Sequence, residues 1–176
     1  MNNKLLILNL GVDSENTSLA FTQKWINELA LNFTSVDVLT LKVGTKYHLN
    51  DNVNLFFIND KNSKYTKIYQ LKKLINLTRK LINENNYSHC FAHMAPLQHL
   101  IAKSFLVQKN VKTTLWFTHV GPKFGLKWII LLISSLLANN IVTASKQSFP
   151  FKFKNVRVIG HGINYDIFFK ERTTFQ

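Results

Sequence analysis

Six histidines, one cysteine and nine acidic residues are the groups in this 176-residue sequence that could do proton, nucleophile or metal chemistry. Their spacing excludes several classes. His89, Cys90 and His93 lie close together, but on an extended chain the two histidines share one face and Cys90 takes the other, which fits no good zinc spacing. No metal site is expected. Cys90 has no partner in the chain, so no internal disulfide can form; a buried thiol in a reducing compartment fits. The turn NLGVDSENTS carries only Gly11, so the G-x-G-x-x-G fingerprint is absent and NAD binding is not expected. No cofactor is expected. Asp13 and Glu15 in that turn could touch ligand hydroxyls or act as partners of a helix dipole. Lys146 could meet a phosphate or be solvated, and Gly162 supplies a tight turn beside an exposed His161. His48, in a polar loop, and His99, on a helix, read as solvated.

The charge narrows the partners. Twenty-two Lys and Arg against nine Asp and Glu give a formal charge of +13, which attracts anionic membrane, nucleic acid or phosphorylated ligands. Only Arg79, Arg157 and Arg172 are arginines, and reading of guanine favours Arg, so nucleic acid is the weakest of the three. The opening MNNKLLILNLGVD is too short in apolar length for a secretory leader. LKWIILLISSLLA (126–138) falls short of the roughly 20 residues of a spanning helix and reads as buried or interfacial.

These groups must be positioned by the elements around them. KLLILNL (4–10) is a continuous apolar run suited to a strand covered on both faces. The next segment carries Phe21, Trp25, Ile26, Leu29 and Ala30 at helical spacing, with Asn16 or Thr17 as N-cap. Strands are predicted at 36–43, 53–58, 88–94, 113–120, 140–145 and 156–160. Helices are predicted at 65–84, from Pro96 to about Val107, and at 123–138. On the 65–84 helix Ile68, Leu71, Leu74, Ile75, Leu81 and Ile82 form one side and the lysines mostly the other. Strands alternating with such helices specify an α/β fold: one three-layer Rossmann-like domain with a mainly parallel sheet and right-handed crossovers.

Open parallel sheets bind ligands beyond the carboxyl ends of their strands. Those ends hold Gly11-Val12-Asp13, His93-Met94, His119 to Lys123, Ser145-Lys146 and Gly160-His161-Gly162. Three of the six histidines fall there.

Three segments, WFTHVGP (116–122), NIVTASKQ (140–147) and VRVIGHGINYDIF (156–168), resemble in order and spacing the N-terminal half of family-4-type GT-B glycosyltransferases. The last is similar to the family's I-x-x-G-(I/V)-(D/N)-x-x-x-F element, with Gly162, Ile163, Asn164 and Phe168 in the matching places. The resemblance implies half of a GT-B fold: residues 1–160 form the acceptor-side domain, and 161–176 begin the linker to a C-terminal domain outside this sequence. That domain would bind most of the nucleotide-sugar donor, so the isolated chain is expected to transfer little sugar.

By the same resemblance His119 is the candidate catalytic group, contacting the acceptor or the transferring sugar. A neutral imidazole there orients a hydroxyl. His93, on the preceding strand, would line the same crevice, and Ser145 is similar to a family serine. Gly11 stands where the family often has two glycines, a departure that weakens phosphate binding at this turn. The partners implied are a sugar or lipid-linked acceptor, a C-terminal donor-binding chain and an anionic membrane surface. The place implied is the cytoplasm, at the inner membrane face, in synthesis of a bacterial surface polysaccharide or glycolipid. Two other readings stay open: a non-catalytic module for an anionic partner, and half of a GT-B-fold sugar epimerase.

Overall fold

The structure is a computed structural model; it describes residues 3–16, 20–59, 65–118, 121 and 123–160. These residues form β1 (Lys4–Val12), α1 (Ala20–Ala30), β2 (Ser35–Val43), β3 (Val53–Asn59), α2 (Lys67–Glu84), β4 (His89–His93), α3 (Pro96–Leu106), β5 (Lys112–Trp116), α4 (Leu126–Leu137), β6 (Asn140–Thr143) and β7 (Val156–Val158). All seven strands pair in parallel, in the order β3-β2-β1-β4-β5-β6-β7.

The unbroken apolar runs follow from that position. On β1, Leu6 and Leu8 face one layer while Leu5 and Ile7 face the other, because successive side chains leave opposite faces of a strand. Leu6, Leu8 and Leu39 pack with Leu74, Leu81 and Ile82 of α2, Ala102 and Leu106 of α3, and Leu131 of α4. Leu5, Ile7, Val36 and Val38 pack with Ile26 and Ala30 of α1. Thus α1 covers one face, while α2, α3 and α4 form a layer on the other, with α3 touching both neighbours. Each fully buried Leu or Ile contributes roughly 1.5–3 kcal/mol, which makes β1 and its two layers the stable centre.

One charge is buried within this frame. The Asp37 carboxylate on β2 pairs with Lys4 at 2.9 Å, accepts the Tyr87 hydroxyl at 2.6 Å and accepts Asn54 Nδ2 at 2.9 Å. Burial and the Asp37 contact push the Tyr87 phenol far above its ordinary range, so it stays a donor.

Several expectations are corrected. Ile68 and Leu71 are exposed rather than on the packed side of α2; its buried positions are Leu74, Thr78, Leu81 and Ile82. His99 is fully buried, not solvated. Strand β5 stops at Trp116 and β6 at Thr143, where the chain turns into a short 3₁₀ segment, Lys146–Ser148.

Candidate functional site

The chain direction across the sheet reverses between β1 and β4: β2 and β3 continue to one edge, β5, β6 and β7 to the other. Loops leaving the carboxyl ends of two such strands diverge, and the gap between them is where a crevice forms in an open parallel sheet. Here the two tips are Asn9 to Val12 and Ala92 to Met94, on adjacent strands.

Polar groups gather at this point. Gln98, in the first turn of α3, donates Nε2 to the Asn9 carbonyl at 3.2 Å. Asn9 Nδ2 and Thr22 Oγ1 both donate to the Gly11 carbonyl at 3.1 Å. The side-chain carbonyl of Asn9 is buried without a hydrogen-bond partner among the described residues. Such an acceptor costs about 1–3 kcal/mol when left unmade, so a hydroxyl or amide donor from a ligand would be favoured there.

Met94, immediately past β4, holds the left-handed backbone conformation with φ of 53°. That conformation costs a non-glycine residue roughly 1–2 kcal/mol. It is held by the Met94 N–H donating to the Trp116 carbonyl at 2.8 Å and by Thr118 N–H donating to Met94 Sδ at 3.2 Å. Backbone strain of this kind concentrates at ligand sites. His93 beside it is 7% exposed; its ring lies 4.6 Å from that of Trp116, 5.2 Å from Trp25 and 5.7 Å from Phe21. An imidazole walled by three aromatic rings has a fixed plane.

The structure brings Gly11 and His93 together at the tips of β1 and β4. The other described candidates, Asp13, Ser145 and Lys146, are engaged elsewhere or exposed. The Asp13 carboxylate accepts the Glu15 N–H at 3.0 Å and packs against the Cα of Gly44, which leaves no room for a Cβ there; it braces the turn rather than opening a helix. Ser145 Oγ bonds Ser148 N at 3.2 Å and Ser148 Oγ at 2.8 Å, capping the 3₁₀ segment two strands away. Lys146 is exposed. His119, His161 and Gly162 lie outside the described residues. Cys90 is buried as expected, its thiol pushed up to about 12 by burial.

Sequence reasoning missed Asn9, Thr22, Gln98 and Thr118, and it placed Met94 at a strand end without its left-handed backbone. Asn9 did carry a signal, a lone amide inside an apolar run. The left-handed φ of Met94 carried none, since a methionine side chain does not announce it. A concavity of about 680 Å³ runs along the free edge of β3 and is lined by Tyr47, His48, Leu49, Val53, Leu55 and Phe56. It is shallow and lies away from the point where the connections reverse, so the polar cluster at β1 and β4 is the stronger candidate.

No protein-family model matches the sequence, and no curated protein matches it. Solved structures do match in fold. The lipopolysaccharide outer core galactosyltransferase WaaB superposes with a TM-score of 0.57 at 10% identity over 91% of this chain and 46% of its own. MurG of Acinetobacter baumannii gives 0.54 at 10% identity over 93% and 48%. The UDP-GlcNAc 2-epimerase of Methanocaldococcus jannaschii gives 0.55 at 10% identity over 82% and 40%. This chain therefore spans less than half of each, and its sheet and helices match a Rossmann-like half of the GT-B fold.

Proposed function

We propose that this chain is the acceptor-side half of a GT-B glycosyltransferase that moves a sugar from a nucleotide-sugar to a sugar or lipid-linked acceptor. The observation that carries the reading is the crevice point itself: Gly11 on β1, and His93 and the strained Met94 on β4, lie at the tips of adjacent strands where the strand order reverses, in a fold similar to two glycosyltransferases. In this reading the β1 and β4 tips form one wall of the cleft, His119 is the group directed at the reacting hydroxyl, and a second domain supplies the donor site. Closure of two domains is what assembles such a centre and excludes water. The enzyme then works in polysaccharide or glycolipid assembly at the inner membrane face.

The test is a sugar-transfer assay on the purified chain, alone and with a donor-binding C-terminal half supplied in trans. Transfer only in the presence of that half supports the proposal; robust turnover by the chain alone overturns it. A second reading, half of a sugar 2-epimerase, is favoured by the epimerase fold at a similar TM-score. Conversion of UDP-N-acetylglucosamine without any acceptor would select it.

A further inference from the structure

Helix α4 is built inside out. Its inner side presents Leu131, Ser134 and Ser135, all buried, whereas Leu126, Ile129, Ile133 and Leu136 recur three and four residues apart along its outer side. Those four are 71%, 47%, 40% and 63% exposed, and Phe124 just before the helix is 85% exposed. Repeats of three and four residues place side chains on one stripe, so this is a continuous aliphatic ridge. Nothing among the described residues covers it. Lys123 and Lys127, both exposed, flank its start.

The same layer repeats the combination on α2, where Ile68 is 70% and Leu71 42% exposed beside exposed Lys67 and Lys72. Both helices follow the carboxyl end of a parallel strand and are linked through α3. Their amino-terminal turns therefore lie at the same end of the sheet as the β1 and β4 tips.

The geometry points to an anionic bilayer as the partner of this surface, with the α4 ridge entering the acyl boundary and the lysines meeting the headgroups. Aliphatic side chains beside lysines suit that interface. A nucleic acid offers phosphates to the lysines but nothing to the ridge. A second copy would bring two chains of +13 together, which repel at contact. Among the described residues no helix is long and apolar enough to cross a membrane. This inference stands on α4 and does not depend on the sugar-transfer reading.

The test is flotation of the full chain with phosphatidylcholine vesicles, with and without phosphatidylglycerol, at low and high salt. Binding to the anionic vesicles that weakens with salt is expected. Leu126→Glu with Leu136→Glu should abolish it, and Lys123→Gln with Lys127→Gln should lower the partition about fivefold per charge. Unchanged circular dichroism and melting check that the variants are folded, as the exposure of these positions implies. Absence of binding, or binding indifferent to Leu126 and Leu136, overturns the proposal. So does a dimer in sedimentation that Leu126→Glu dissociates, or an oligonucleotide bound through the same positions. Loss of sugar transfer with vesicle binding intact would count only against the transfer reading.

Discussion

His99 on α3 and Ser134 on α4 join the two helices through a 2.8 Å hydrogen bond between imidazole Nδ1 and hydroxyl, with both residues fully buried. Burial first, and the nearby Lys103 charge second, lower the His99 pKa from 6.5 to about 4. A histidine held neutral in the fold contributes no penalty above the unfolded value. Below it the unfolded chain takes up a proton that the folded chain refuses, so stability falls as pH drops from about 6.5 to about 4. The loss approaches about 3 kcal/mol. Urea unfolding over that range should display the decline, and the paired variant His99→Leu, Ser134→Ala should flatten the His99 part of it.

The Asp37 carboxylate depends on Lys4. Lys4→Met leaves a buried charge without its counterion and is expected to cost about 3–5 kcal/mol. Lys4→Met combined with Asp37→Asn should cost clearly less than the two single changes added together. A double-mutant cycle in urea measures the difference.

Met94 serves Thr118 through its sulfur. Met94→Leu keeps the volume and removes the acceptor, so Thr118 N–H loses its partner at a cost of about 1 kcal/mol. Unfolding midpoints check this.

Asp13 and Gly44 are in contact, and Gly44→Ala would push the carboxylate off its bond to Glu15 N–H. A loss of about 1 kcal/mol is expected, and Asp13→Ala should relieve most of it in the double variant. Melting curves of the two single variants and the double variant decide the point.

The sheet was legible because β1, β2 and β4 are covered on both faces and are largely apolar, with few polar residues such as Asp37 among them. Gly11 and His93 were legible for a related reason, as the residues where such runs end. His99 was not: a lone histidine on an amphipathic helix looks solvated until a third helix, α4, turns a serine toward it. The α2 face was misread at Ile68 and Leu71 because periodicity places a side chain on a stripe but does not say whether a neighbour reaches that far along the helix. Ser145 has the residue type of a ligand group, yet its hydroxyl is taken up by Ser148. Backbone conformation, as at Met94, leaves no trace in side-chain pattern.

The most direct test of the account is an amide chemical-shift titration of the chain with mono- and disaccharides and with UDP-N-acetylglucosamine. The crevice assignment predicts saturable shifts centred on Gly11, His93, Met94 and Gln98, with little change at Lys4, Ser35 and Ser88 at the opposite ends of the strands. Saturable shifts centred on those opposite ends, or on the β3 edge, would contradict it.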